Sequence, residues 1–462
     1  DDYGRHWTPI IHGLPADVFT RVIREDPVRR GLLYAGTETG VRVSVDDGLN
    51  WQSLRYNLPV VPIHDLCVKD DDLIAATHGR AFWVLDDVTP LRQLADIPRE
   101  GAAVHLFTPR TTLKFAGGGG FGLSPVPGTN YAHVGVGYVA YRELAPSGGG
   151  EKQRVYLDGG QNPPDGVAIT YLLGAKPEGE VTLTLLDAQG QEIKRFSSEE
   201  RKTPRGRSGD LKTITGEVVS TRDEPRVAVE PGFNRFRWDM RYADAAWVDG
   251  FVSDSGIVSG PVAPPGRYQA RLSVGDQSQT VWFEIASDPR IGATPEDLAA
   301  QFALLCQIRD KLSAVHQAIN GLRAVREQVD AWEARARRAK AAQHEEITRQ
   351  AGALKEHLGA IEEELIETRS AEDDDTLRFP VKLNVKLASL MSVVASADAA
   401  PTRQAREVFA ALSARADALL ARLRELTDRD LGAFNALLRA TELPAVDVST
   451  ELKEEQQHAT KE

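Results

Sequence analysis

Cysteine is nearly absent: Cys67 and Cys306 are the two in 462 residues. They fall in stretches of different character, which argues against a disulfide framework or a cysteine-based metal site. No run of about 18 apolar residues occurs, so nothing reads as a bilayer-crossing helix. Positive charge is in deficit, with a formal net charge of −12; a nucleic-acid surface would need a basic stripe instead. The ten histidines include no His-x-x-x-His pair of the kind that holds zinc on a helix. Gly-x-Ser-x-Gly and a Cys/His nucleophile arrangement are missing too. The glycines of 116–122 lack the Lys-Ser/Thr of a P-loop, and with those of 147–150 they read as loop. No metal and no cofactor is expected.

What is present is a pattern written twice. Leu33-Tyr-Ala-Gly-Thr-Glu-Thr-Gly-Val-Arg-Val-Ser-Val-Asp-Asp47 aligns without a gap on Leu73-Ile-Ala-Ala-Thr-His-Gly-Arg-Ala-Phe-Trp-Val-Leu-Asp-Asp87, 40 residues on. Each copy alternates apolar and polar around a tight turn. A period of about 40 residues with four strands per unit is the signature of a β-propeller blade. The expected strands are 18–25, 32–37, 41–45 and 51–54, then 63–68, 73–77, 82–85 and 91–94. Within the first copy, Ser44, Asp46, Gly48 and Trp51 form Ser-x-Asp-x-Gly-x-x-Trp, and Asp2, Gly4 and Trp7 repeat it from the Asp onward. The motif resembles the Asp-box (BNR repeat) of sialidases and sortilin-type receptors. Its chemistry is that of a turn: Asp accepts backbone N–H bonds, Gly supplies a positive φ, and Trp packs the turn onto the blade.

The length suggests about three domains. Residues 1–95 read as the last blades of a propeller and 96–150 as a Gly-rich connecting region. Residues 151–290 are all-β at a spacing that suggests an immunoglobulin-like sandwich, with 197–223 a polar insertion. The register changes at Thr294-Pro-Glu-Asp297, an N-cap with acids in the first turn. Apolar positions then keep helical spacing (Leu298, Leu305, Ile308 and Leu312; later Val408, Leu412 and Leu419), which suggests an antiparallel helical bundle over 291–448. The acid run 372–375 reads as a solvated loop, the basic residues Arg335, Arg337, Arg338 and Lys340 as a solvated or partner-facing surface, and 449–462 as a disordered tail. The fold class is multidomain, β then α. Residue 1 already lies inside a blade motif and two blades do not close a ring, so the chain is expected to be the C-terminal part of a longer protein.

Taken with Gly159-Gly-Gln-Asn-Pro-Pro-Asp-Gly166, Gly232-Phe-Asn-Arg-Phe-Arg-Trp-Asp239 and Phe379-Pro-Val-Lys-Leu-Asn384, these motifs resemble the bacterial BNR-repeat proteins with a sortilin-like propeller, often labelled glycosyl hydrolases. The resemblance implies an exported, extracytoplasmic protein. The hydrolase label rests on the Asp-box, which marks a fold and not a reaction.

Glycoside hydrolysis needs two positioned carboxylates, or a Tyr nucleophile with an arginine cluster. The acids Asp46, Asp47, Asp86 and Asp87 all fall at the strand 3–4 turns, and no arginine triad is visible. A catalytic pair would lie in upstream blades. The opposite turns carry Glu38 in the first copy and His78 and Arg80 in the second, with Trp83 following. His78 and Arg80 together suit an anionic group; alternatively Arg80 pairs with a neighbouring acid, His78 caps a turn and Trp83 packs between blades. Two functions follow. One is recognition of a glycan or protein ligand on the propeller face, with the helices docking a partner or a second copy. The other is glycoside hydrolysis completed by upstream blades.

Overall fold

The computed structural model describes residues 3–94, 96–97, 103–114, 128–134, 137–144, 153–160, 165–199, 225–253, 255–338, 343–370 and 373–441. The glycine runs, most of the 197–223 insertion, Asp2, Lys340 and the tail lie outside them. The architecture is β followed by α: several antiparallel sheets, then a helical region.

The repeated pattern folds as two antiparallel sheets. Strands β1 (Thr20–Glu25), β2 (Leu33–Thr37), β3 (Gly40–Ser44) and β4 (Gln52–Ser53) pair in that order, and β5 (Ile63–Lys69), β6 (Asp72–Thr77) and β7 (Phe82–Leu85) form the second sheet. Tyr34, Val41 and Val43 of the first share a buried cluster with Ile63, Leu66, Leu73 and Ala75 of the second. Gly36 lets them close, since a Cβ there would sit 2.6 Å from Val22 and 2.9 Å from Ile63.

The fourth strand expected at 91–94 is instead a helix, α1 (Thr89–Leu94). The reason is local. Asp87 Oδ1 accepts from the Thr89 amide (3.1 Å) and hydroxyl (2.5 Å), and Pro90 in the first turn carries no N–H that a helix start would use. Helix α1 then aims Arg92 at the buried Asp26: Nε lies 2.9 and 3.1 Å from its two oxygens. Asp26 also accepts from the Tyr34 hydroxyl (3.3 Å) and from the amides of Val28 and Arg29, both 2.9 Å. The other end of Arg92 reaches Asp71 (2.5 Å) and the Asp70 carbonyl (2.9 Å), so one side chain ties α1 to both sheets.

Two strands from the stretch read as a connector enter the next region. These are β8 (Val104–Leu106) and β9 (Thr112–Lys114); β10 (Asn130–Val134), β11 (Gly137–Leu144) and β12 (Gln153–Tyr156) form a separate three-stranded sheet. Strands β13 (Val167–Leu173), β14 (Val181–Leu186), β15 (Glu192–Ser197), β16 (Gly232–Trp238), β17 (Gly266–Val274) and β18 (Gln277–Ser287) complete two sheets, ordered β16-β13-β8 and β15-β14-β17-β18-β9. Period-two alternation sends Val167, Ile169, Tyr171 and Leu173 inward from one sheet, to meet Leu183, Leu185, Leu272 and Phe283 of the other. Trp238 lies at the centre, edge-on to Tyr268 and Phe283. Gln279 recruits β8: its amide donates to the Val104 carbonyl (2.9 Å) and accepts from the Leu106 amide (2.8 Å).

The helical region comprises α2 (Pro295–Arg338), α3 (His344–Leu365), a 3-10 turn (Asp373–Leu377), α4 (Leu383–Ala395), α5 (Arg403–Leu426) and, across a π turn at Thr427–Leu431, α6 (Gly432–Ala440). Part of the expected acidic loop is thus helical. One core joins Leu312, Val315 and Ile319 to Leu354, Leu358, Leu387, Leu423 and Phe434. Val408, at an expected inward position, is instead exposed. Helix α2 starts as expected, on a reciprocal cap: the Asp297 amide donates to Thr294 Oγ1 (3.2 Å) and the Thr294 amide to Asp297 Oδ2 (3.0 Å). Thr294→Ala is expected to cost about 1 kcal/mol, read as a lowered urea midpoint for loss of helical circular dichroism; an unchanged midpoint would remove the cap from the account.

The irregular stretch between β16 and β17 packs on α2 rather than on solvent. Val248, Phe251 and Val258 join the helical core, and Ser313, Asn320 and Arg323 bond the backbone of Ala246, Trp247 and Asp249 at 3.0, 2.8 and 2.6 Å. His316 sits beneath it, fully buried, with Nδ1 2.6 Å from the Ala246 carbonyl and Nε2 without a hydrogen-bond partner among the described residues. Between α2 and α3, the buried Glu362 is held by Arg323 and Arg326, each at 2.6 Å. No helix among the described residues is long and apolar enough to cross a membrane.

Candidate functional site

The turn after β3 shows what the Asp-box does. Asp46 accepts from the Ser44 hydroxyl (2.8 Å), the Asn50 amide (2.8 Å) and the Asn50 side chain (2.7 Å). The Gly48 amide donates to Ser44 Oγ (2.9 Å) with Gly48 at φ +85, where a side chain would be strained. Trp51 is buried and its indole donates to the Ile10 carbonyl (2.8 Å). These three bonds engage both carboxylate oxygens of Asp46 in the turn, the role of a turn residue. The earlier copy behaves differently. Gly4 keeps a positive φ, but Trp7 is exposed, not packed, and its indole donates to the Gly4 carbonyl at 3.1 Å.

At the other end of the second sheet, the β6–β7 turn carries His78, Gly79 and Arg80. Thr77 builds it: its hydroxyl donates to the Ala81 carbonyl (2.5 Å) and accepts from the Arg80 amide (3.1 Å). Gly79 and Ala81 both take positive φ, +78 and +60, so the turn is sharp and its side chains splay outward. The Trp83 indole donates to the Arg80 carbonyl (2.9 Å) while its ring packs against the shared core. Trp83 therefore braces the turn. It also lines, with Tyr56 and Leu58, a shallow cleft of about 50 Å³ between the sheets.

His78 is exposed, and its ring stacks on that of His64 at 4.8 Å and 27°. His64 is the residue that the sequence reading passed over. A bulge between Ile63 and Asp65 drops it out of register opposite Thr77, which brings it beside the turn. Arg80 is exposed, and among the described residues no carboxylate pairs with it; the acid partner weighed for it is not there. Glu38 does not join the group. Its carboxylate is taken by Arg21 (Nε to Oε1 2.6 Å), and no bond among the described residues links it to His78, Arg80 or Trp83. His64 and His78 thus stack, and Arg80 follows in the same turn; all three are nitrogen bases or cations of the kind that can hold an oxyanion.

Asp72 meets Arg110 at 3.0 Å and accepts from the Asp87 amide at 2.9 Å. Asp86 has its carboxyl pushed above the usual range, first by burial and then by the nearby Asp72. No grouping of three or more potential metal-ligating side chains occurs among the described residues.

No family model and no curated protein matches the chain. Among solved structures, a chain described as pT26-6p aligns at 12% identity with a TM-score of 0.12, over 57% of this chain and 45% of that one; the chain spans less than half of its length, and a likeness at that level carries no argument.

Proposed function

We propose that the chain is a recognition module, part of an exported BNR-repeat protein with a sortilin-like propeller, and that it binds an anionic group of a glycan or peptide at the turn formed by His64, His78 and Arg80. In this reading β1–β4 and β5–β7 are blades, the two sheets around Trp238 are an immunoglobulin-like sandwich, and α2–α6 are an antiparallel bundle that docks a partner or a second copy. The observation that carries it is Arg80: an exposed guanidinium, without a carboxylate partner among the described residues, in the same turn as His78, whose ring stacks on His64, a turn that Thr77 and Trp83 hold in shape. A structural arginine is ordinarily paired; one held ready and unpaired suits a ligand.

A screen of this chain against acidic and neutral glycans, together with chromogenic glycosides, tests the reading. Acidic probes are expected to bind without turnover. Binding should weaken by about tenfold or more in His78→Ala/Arg80→Ala, since a hydrogen bond to a charged group contributes roughly 1.5–3 kcal/mol. Turnover that survives the double change would overturn the reading in favour of a hydrolase. Unchanged binding would place the site elsewhere.

A further inference from the structure

The five-stranded sheet has a second face. Its inner face contributes Leu183, Leu185, Ala270, Leu272 and Phe283 to the core, so alternation turns Thr184, Arg271, Thr280 and Trp282 the other way. Register sets these side chains in rows. Arg195, Thr184, Arg271 and Thr280 lie opposite one another across β15, β14, β17 and β18. The next outward row along carries Gln269 opposite Trp282, and the one after it Arg267 opposite Glu284. On the other side of the arginine row Ser197 and Thr182, both buried, lead to the half-buried Ser273 and the exposed Ser278; Thr184, between the two arginines, is buried as well.

Arg195, Arg267 and Arg271 are all exposed, and none meets a carboxylate among the described residues. Arg271 reaches only the Thr280 hydroxyl, at 3.4 Å. Arg267 turns from Glu284, its cross-strand neighbour, to stack over the Trp282 ring at 4.9 Å. Trp282 remains 43% exposed, although a large aromatic on an open sheet gains by being covered. Three guanidiniums without a carboxylate partner among the described residues and a tryptophan thus share one face of a chain whose net charge is −12.

We infer that this face binds a linear polysaccharide bearing carboxylates, that is, one built with uronic acid units. Arg195 and Arg271 stand two strands apart, roughly 10 Å by strand spacing, and each presents a planar fork that matches a planar carboxylate. The ring of Trp282 offers an apolar platform to a sugar face, and the exposed hydroxyls of Ser278 and Thr280 supply donors and acceptors for its hydroxyls. Nucleic acid is the poorer fit: the face carries one aromatic side chain, where a single strand is held by a succession of stacking platforms. This surface is separate from the turn at Arg80 and does not depend on it.

Affinity electrophoresis of this chain in gels containing polygalacturonate tests the inference, with dextran, dextran sulfate and single-stranded DNA as alternative matrices. Polygalacturonate is expected to retard the chain more than the other three. Arg195→Ala/Arg271→Ala and, separately, Trp282→Ala should each weaken retardation by about tenfold with unchanged melting, because exposed positions of this kind leave stability nearly untouched. Arg30→Ala, the loss of an exposed guanidinium elsewhere, should retard like the parent. Equal retardation by dextran, stronger retardation by dextran sulfate or DNA, or retention of the parent's mobility shift in both sheet-face variants would each overturn the inference. Loss in Arg80→Ala with the sheet-face variants unaffected would transfer the activity to the turn and overturn it as well.

Discussion

Replacing Arg92 by methionine is expected to destabilise the region of the two repeated sheets by about 3–5 kcal/mol, the cost of leaving a buried charge without its partner. The Asp26 side chain is 0% exposed and that of Arg92 10%, so water does not replace what the substitution removes. The amides of Val28 and Arg29 and the Tyr34 hydroxyl still bond the carboxylate, but no cation remains beside it. Methionine keeps much of the apolar stem that packs between α1 and the sheets. The double variant Asp26→Leu/Arg92→Met removes both charges and is expected to be more stable than Arg92→Met alone, since a buried pair replaced by apolar groups is far less harmful than a pair broken. Urea unfolding of the three proteins measures this. If Arg92→Met and the double variant unfold at one midpoint, the destabilisation comes from packing and not from the stranded carboxylate.

Acidification from pH 7 to pH 5 is expected to cost the helical region about 2 kcal/mol through His316 alone. Burial pushes this imidazole down to about 4, against a partial rise from the Ala246 carbonyl and a further lowering by Arg323. The carbonyl is an acceptor, so Nδ1 carries the proton and Nε2 faces the apolar interior near Phe251, whose ring lies 5.3 Å away. In the unfolded chain the same group protonates near pH 6.5. Between those two values the unfolded state binds the extra proton and the folded state does not, so stability falls as pH drops from about 6.5 and the loss levels off below about 4. Above pH 6.5 the group is neutral in both states and contributes no slope. His316→Gln should be somewhat less stable at pH 7 and nearly flat from pH 7 to 5. A variant that retains the parent's slope would assign the acid sensitivity to other groups.

The sequence made some features plain because they are local and periodic. The hairpins at Leu33–Thr37 with Gly40–Ser44, and at Asp72–Thr77 with Phe82–Leu85, alternate strongly enough to be read directly. Thr294 and Asp297 announce α2 by side-chain chemistry three residues apart. Helix α1 was misread because six residues are too few to separate a helical period from a strand, and only Asp87 and Pro90 marked its start. Strands β8 and β9, three residues each, exist because Gln279 and β18 supply their partners from far along the chain. The stretch around Val248 has no period at all; its order comes from α2. At the candidate turn, His78, Arg80 and Trp83 stood in one motif, whereas His64 depended on a bulge. The row of Arg195 and Arg271 depended on strand register, which no spacing in the sequence expresses.

Helix α2 has a consequence for how the molecule moves through solvent. Its 44 residues extend about 66 Å at 1.5 Å per residue. A compact chain of this length has a radius of gyration of roughly 23 Å, which for a uniform sphere means a diameter of roughly 58 Å. The single rod is longer than that sphere is wide. A body that contains it departs from a sphere, so its frictional coefficient is expected to exceed that of a globule of equal mass, which gel filtration reads as early elution.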